Sequence, residues 1–368
     1  MTAAFTIQTV IDVMARMAPP RLAENWDNVG LMVGHPGRPL GGVTVALDPT
    51  FEAVQAAIAQ GSNLVVTHHP LLFKPPRSLD LRQEPGRTLE ALIKADCALY
   101  SAHTNLDATT VNHALASRLG LQGRTLLHRN GEMPRYKLGI HVPIAQVSAV
   151  CEAAWEAGAG QEGDYHRAVY AWDSEGQFQA GPEAQPAVGS AGQDTRVHER
   201  RLEFVVPGDR LDAVRQAVLS AHPFEAPALD VLQLVGGGQA EGFGLVGDLE
   251  IATPLAAFAE RVKADLGVSA VRYVGEGHRA VRRVAWLGGS GGDYWKEALA
   301  AGADVYITGE VRHHAALDAL AAGLSFIEVG HVGSEQPVVP VLADLLRDAL
   351  GGHVPVHALH QVDPFVVV

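Results

Sequence analysis

The sequence predicts an α/β protein: a layered core in two sequence halves with mostly parallel strands, interrupted by an inserted ferredoxin-like α+β domain. Three observations lead there. A helix running into a short apolar strand recurs four times, at Ala57–His69, Ala91–His103, Ala298–Glu310 and Ala319–His331. Strands and helices alternate on both sides of a middle stretch, and such βαβ units need parallel strands with right-handed crossovers. The middle stretch itself changes texture and reads strand–helix–strand twice over, the order of a ferredoxin-like module.

At 368 residues the chain is too long for one ordinary core, so two or three domains are expected. With 47% hydrophobic and 19% charged residues, it has the composition of a soluble globular protein and excludes disorder. A formal charge of -13 argues against a nucleic-acid partner, which would need a basic stripe. Only Cys97 and Cys151 are present, which leaves no disulfide framework and no thiolate metal site. No run reaches ~18 apolar residues, so no membrane partner is expected.

Taken in order, Met1 to Pro20 lacks a basic n-region and a cleavage site. Its Phe5, Ile7, Val10, Ile11 and Met14 read as an amphipathic helix and not a signal peptide, and the expected location is cytoplasmic. Residues 43–47 form a strand, 50–60 a helix and 64–67 a strand. A helix at 88–95 and a strand at 97–101 follow. From 282 the alternation resumes, with strands at 282–287, 304–308, 325–329 and 354–358 and helices at 293–301, 310–321 and 335–349. The core is therefore placed at 1–129 and 241–368 and the insert at 130–240. Within the insert, 137–143, 167–172, 200–206 and 229–235 read as strands and 145–157 and 207–221 as helices. Residues 174–195 are a loop or long hairpin, and Gly236-Gly237-Gly238 an exit linker.

The last column of the fourfold phrase reads His69, His103, Glu310, His331. Ligands of open α/β sheets bind outside the carboxyl ends of the strands, so these residues point imidazoles and a carboxylate at one crevice, as a divalent metal site needs. His68 and His69 are adjacent in a strand and point to opposite faces. Beyond the last ladder bond, with Pro70 ending the strand, they can splay onto two neighbouring ions, or be ordinary turn histidines. Asp107 is a helix N-cap ahead of Thr109–Leu119 unless its neighbours recruit it. Ser334 suits an N-cap, which makes Glu335 either a dipole-favoured surface carboxylate or, beside His331, a bridge between two cations. His313 and His314 could orient the ligands from behind, but they fall inside the expected helix and read rather as ordinary helix residues. Gly288 to Gly292 is a tight strand-to-helix turn that could also offer N–H groups to a phosphate.

Several spaced motifs resemble one family. Glu24-Asn25-Trp26-Asp27-Asn28-Val29-Gly30, Leu47-Asp48-Pro49-Thr50, Thr67-His68-His69-Pro70, His103-Thr104-Asn105-Leu106-Asp107, Thr308-Gly309-Glu310 and Gly330-His331 with Glu335 stand in the order seen in the NIF-three-like dinuclear metal-centre proteins. Those are commonly labelled GTP cyclohydrolase 1 type 2 homologues. The middle resembles the P-II/CutA-like insert of longer bacterial members. The resemblance implies two divalent cations per subunit (Zn, Fe, Mn or Co), with His68, Asp107 and Glu335 on one and His69, His331 and Glu335 on the other. Asp27, Asp48, His103 and Glu310 then stand behind the ligands or face a substrate. It further implies a homohexamer, and a metal-dependent hydrolase of a nucleotide or related small molecule; the alternative is a non-catalytic metal-binding scaffold. One departure is Thr109-Thr110-Val111-Asn112-His113, where the family usually has Gly-Gly-Val-Asn-Asp.

Overall fold

The computed structural model describes residues 5–367, which group into two compact units, 5–130 with 242–367, and Gly131–Glu241. In chain order the strands are β1 (Gly30–Val33), β2 (Val43–Ala46), β3 (Leu64–Thr67), β4 (Ala98–Ser101), β5 (Gln122–Pro143), β6 (Tyr170–Gln179), β7 (Asp194–Pro207), β8 (Leu229–Pro254), β9 (Arg272–Val274), β10 (Ala280–Leu287), β11 (Val305–Thr308), β12 (Ser325–Glu328) and β13 (Val356–Ala358). The α-helices are α1 (Ile7–Met17), α2 (Phe51–Ala59), α3 (Gly86–Lys94), α4 (Thr104–Leu106), α5 (Asn112–Arg118), α6 (Val147–Glu156), α7 (Leu211–Ala221), α8 (Leu255–Leu266), α9 (Trp295–Ala300), α10 (His313–Ala321), α11 (His331–Glu335) and α12 (Val338–Ala349).

The larger unit holds two sheets. One runs β1-β4-β3-β2-β13, all parallel except the β1–β4 pair. In the other, β10, β11 and β12 are parallel, flanked by antiparallel β8 and β9. Period-2 alternation of side chains sorts the strand residues between layers. Leu64, Val66, Ala98 and Tyr100 of the first sheet join Val284, Trp286, Val305 and Ile307 of the second in one central core, with buried residues of α1, α5, α8 and α12 between them. The alternate residues face outward, Val65 and Leu99 against α2 and α3, and Ala285, Tyr306 and Phe326 against α9 and α10. Thr50 caps α2 by accepting from the Ala53 N–H at 3.1 Å, which ends the loop from β2 where the sequence places it.

The inserted unit orders its strands β6-β7-β5-β8, with β7 antiparallel to both its neighbours. Numbered within the insert, that is 2-3-1-4, the ferredoxin-like arrangement. Leu138, Ile140, Val142, Leu202, Phe204 and Val206 turn one face onto Val150, Cys151 and Ala154 of α6 and Val214 and Val218 of α7. Of the two readings of 174–195, the hairpin is the one found, since β6 and β7 extend into it and leave residues 180–193 as the connection.

Several boundaries differ from expectation. Gly236-Gly237-Gly238 is no linker: all three lie within β8, two of them at φ +75° where a side chain would be strained. The helix expected from residue 310 starts at His313, because the chain stays extended through Arg312 and the Glu310 N–H is tied to the Gly289 carbonyl at 3.1 Å. The helix expected from 335 is two, α11 and α12, so Ser334 is not an N-cap. Gly330, at φ +80°, holds that position instead. Strands β1 and β9, of four and three residues, went unread because they are too short to show an alternation; helix α8 also went unread, although Leu255, Phe258, Ala259, Val262 and Leu266 recur at helical spacing. No described helix is long and apolar enough to cross a membrane.

Gly242 lies so close to the backbone of His128 and Arg129 that any side chain there would collide. The chain therefore leaves and re-enters the larger unit at adjacent points. We expect a protein with 131–241 replaced by a short Gly-Ser link to unfold cooperatively and to hold as much divalent metal as the full chain does. Circular-dichroism melting with elemental analysis checks this; precipitation without metal would show that the insert belongs to the core.

Candidate metal centre

Sheet geometry first brings the residues together. The His68 and His69 N–H groups bond the Ala46 and Leu47 carbonyls, at 3.2 and 2.9 Å; two consecutive N–H groups reaching one neighbouring strand mean that the regular alternation has ended with β3 at Thr67. His68, 1% exposed, and His69 therefore do not take the opposite faces that the sequence suggested. Their ring centroids are 4.9 Å apart, and both Nε2 atoms approach the Glu335 carboxylate. From the second sheet comes α11, which starts at His331. His331 and Glu335 are four apart on this single turn and so project from the same face.

Glu335 is the meeting point. Its carboxylate is 3% exposed. His68 Nε2 approaches Oε1 at 3.6 Å, while His69 Nε2 and His331 Nε2 each stand 3.0 Å from Oε2. Asp107 Oδ1 lies 3.8 Å from His68 Nε2. Asp107 is not an N-cap: the helical run begins at Thr104 and passes through a π turn at Asp107–Val111, which turns the carboxylate inward. The Asn112 side-chain amide supports that turn, donating to the Asp107 carbonyl at 2.9 Å.

Each imidazole is anchored through Nδ1. His68 donates to the Ala102 carbonyl at 3.0 Å, and since a carbonyl only accepts, Nε2 is left to face the cluster. His69 Nδ1 bonds Asp48 at 2.7 Å, His331 Nδ1 bonds Glu310 at 2.7 Å, and His103 Nδ1 bonds Asp27 at 2.8 Å. Carboxylate or carbonyl partners of this kind fix tautomer and ring orientation in metal-ligating histidines. The four strand-end residues do converge, but Glu310 reaches the cluster only through His331. His313 and His314 open α10 and take no part in it.

Three buried polar atoms in the cluster lack any hydrogen-bond partner: His68 Nε2, Asp107 Oδ1 and Glu335 Oε2. Buried polar groups are rarely left so, and the three belong to the residues a cation would use. Among the described residues, three groups bring metal-competent atoms within 4.8 Å of one another: His68, Asp107, Glu335; His69, His331, Glu335; and His68, His69, His103. The donor set is nitrogen and oxygen throughout, which suits a divalent transition metal.

Charge follows the same contacts. Burial works against charge on His69, yet the bond to Asp48 and the nearness of Glu335 push its pKa up to about 10. For His331, contact with Glu335 outweighs burial and raises it to about 9. Burial opposes ionisation of Glu335, but His68, His331 and His69 hold its carboxyl well below the usual range. Asp107 goes the other way, since burial dominates and raises it. Burial also works to raise Asp27, but its bonds with His103 and Thr104 bring it down to about 2.

The glycine turn has a role that the sequence alone did not reveal. Its first two N–H groups are taken within the chain, Gly288 by Asn112 Oδ1 at 3.2 Å and Gly289 by Ser334 Oγ at 2.9 Å, so these two are not offered to a phosphate. A side chain at Gly289 would strike Glu335 Oε1, so glycine is needed there to admit the carboxylate. The other residue missed was Gln361, whose side chain grips Asp48, accepting from its N–H at 2.8 Å and donating to its carbonyl at 3.0 Å.

A layered α/β protein whose strand ends converge on a buried His/Asp/Glu cluster able to hold metal is the class these observations define. Residues 5–364 match the Duf34/NIF3 (NGG1p interacting factor 3) family, and the chain belongs to it. It is 35% identical over 366 residues to the GTP cyclohydrolase 1 type 2 homolog of Halalkalibacterium halodurans, covering 98% of both chains. It is 34% identical to the homolog from Staphylococcus aureus, over 88% of each. Among solved structures it is similar to a Bacillus cereus protein related to NIF3, with a TM-score of 0.92, 34% identity and full coverage of both chains. Staphylococcus aureus protein SA1388 is more distant, with a TM-score of 0.76, 29% identity and the same coverage.

A cation entering beside His69 and His331 must displace their protons, so its apparent affinity should climb steeply between pH 7 and 9, by up to about two decades per pH unit. In metal-free protein the same raised pKa values contribute stability. That contribution is complete below the unfolded histidine value near ~6.5 and lost as pH rises through about 9 and about 10. Competition titration of metal, and urea unfolding of the stripped protein at pH 6, 8 and 10, check both signs.

Proposed function

We propose that this protein binds two divalent cations and is a metal-dependent hydrolase acting on a nucleotide or a related small molecule. One observation carries the reading. The two oxygens of the buried Glu335 carboxylate face different partners, His68 on one side and His69 with His331 on the other. His68, Asp107 and Glu335 would hold one ion, and His69, His331 and Glu335 the other. Two such ions would supply Lewis acidity and a water acidified toward pKa ~7. The chain's own part is orientation. Ala102, Asp48 and Glu310 lock the three imidazoles with Nε2 inward, and burial of Glu335 and His68 keeps bulk water from competing.

The nucleotide part of the proposal rests on the relatives' name, GTP cyclohydrolase 1 type 2 homolog. A cytoplasmic homohexamer, implied by the resemblance seen in the sequence, is part of the same proposal, and light scattering should then return about six chains. His103 lies close enough to His68 and His69 to join a metal site. His68, His69 and His331 approach the Glu335 carboxylate, whereas the carboxylate that His103 contacts is Asp27, which suits a supporting place behind the ligands.

Changing Glu335 to Gln keeps the size but removes the shared charge, so both ions should weaken together. His68→Ala should reproduce the loss seen in Asp107→Ala, and His69→Ala that seen in His331→Ala. Elemental analysis with anomalous scattering reads this out; if Glu335→Gln sheds one ion and keeps the other, the bridging role is wrong.

Catalysis is tested separately, by a screen of metal-replete protein against nucleotides and phosphoesters. Turnover that falls at least about a hundredfold in Glu335→Gln supports the hydrolase. Stoichiometric metal with no turnover of any substrate favours the non-catalytic scaffold.

A further inference from the structure

The motif that contains Asp27 also carries Trp26, which nothing above has used. Trp26 is 58% exposed, and Phe73, next to it in space, is 40% exposed. Their ring centroids are 5.7 Å apart at an interplanar angle of 48°. Both meet the His103 ring edge-on, at 6.1 and 6.3 Å. His103 in turn lies 5.1 Å from His68 and 5.5 Å from His69, ring to ring. Two large aromatic faces thus stand in the open, one imidazole away from the metal cluster.

They are also held in place. On one side of Trp26, Asp27 accepts from the Thr104 N–H at 3.0 Å and its hydroxyl at 2.5 Å, besides bonding His103. On the same side, the Asn28 side-chain amide donates at 2.5 Å to the carbonyl of Leu72, the residue before Phe73. The Glu24 N–H is fixed to Thr104 Oγ1 at 2.9 Å. Exposing a Trp forfeits one of the largest available burials. Here the backbone on both sides of it is pinned, so the ring is presented rather than merely left over. Preorganised aromatic surface of this kind binds at low entropic cost. What it fits is a flat π-system: every nucleobase has such a face, and stacking on aromatic side chains tolerates any base.

We propose that Trp26 and Phe73 form a stacking platform for the planar heteroaromatic ring of the ligand, with His103 closing its inner edge. This deepens the hydrolase reading and rests on it for the reacting end of the ligand, whereas the platform itself needs no metal.

The test is calorimetric titration of the full chain, metal-free and metal-replete, with guanosine 5′-monophosphate and with ribose 5-phosphate as the base-free control. We expect the nucleotide to bind more tightly than the sugar phosphate in both forms. Trp26→Leu and Phe73→Leu should each weaken nucleotide binding about tenfold or more, while sugar-phosphate binding and metal content stay unchanged. Trp26→Phe should restore most of the loss. No preference for the nucleotide, or an unchanged affinity in Trp26→Leu, would overturn the proposal. So would a fall in oligomeric mass in Trp26→Leu with base preference intact, which would make the patch a contact between copies. A base preference that survives in a protein with no metal or turnover would leave the platform standing and remove the hydrolase.

Discussion

Burying the Glu335 carboxylate is the constraint around which the larger unit is arranged. Moving such a group out of water costs several kcal/mol even after relaxation, so a fold that buries it to 3% must compensate. Three imidazoles do so, drawn from two sheets. Gly289 is required because a side chain would occupy the space of Oε1, and Gly309 because one would collide with Ser334 and crowd His331. Ser334 spends its hydroxyl on the His331 carbonyl while accepting from Gly289. Strand ends, glycine turn and α11 are thus mutually dependent.

The compensation is incomplete within the chain itself. Glu335 Oε2 sits 3.0 Å from two imidazole nitrogens without forming a hydrogen bond to either, and His68 Nε2 and Asp107 Oδ1 are likewise unsatisfied. Every Nδ1 in the cluster, by contrast, has a short and directional partner. That asymmetry, satisfied outer atoms and unsatisfied inner ones, is what a site preorganised for cations presents. It also explains why three of the four anchors are carboxylates: Asp48, Glu310 and Asp27 would make the imidazoles better donors to a cation.

Much of the fold was legible because it follows from local periodicity. The β2–α2–β3 unit, the outer strands and helices of the insert and the strand ends at His69, His103, Glu310 and His331 came directly from apolar runs closed by polar residues. Where reading failed, longer-range contacts had overruled local preference. Asp107 has the composition of an N-cap, but Thr104 and Asn112 extend the helical run around it. Ser334 has the same signature, yet Gly330's left-handed conformation starts the helix four residues earlier. The glycine turn resembles an anion loop, and only packing against Asn112 and Ser334 shows that its first two N–H groups are spent.

The sequence by itself determined which residue types stand at the ends of the strands, and so the chemistry available to the site. Patterning and turn residues act over a few positions, and that is the range at which they can be read. Tertiary structure decided which of those residues meet. β13 joins β2 across more than three hundred residues of chain, and His331 comes within 3.3 Å of His69 from the other sheet. Only the packing of both sheets onto one central helical layer sets those distances, because apolar burial is non-directional and leaves no mark in sequence of which faces will oppose.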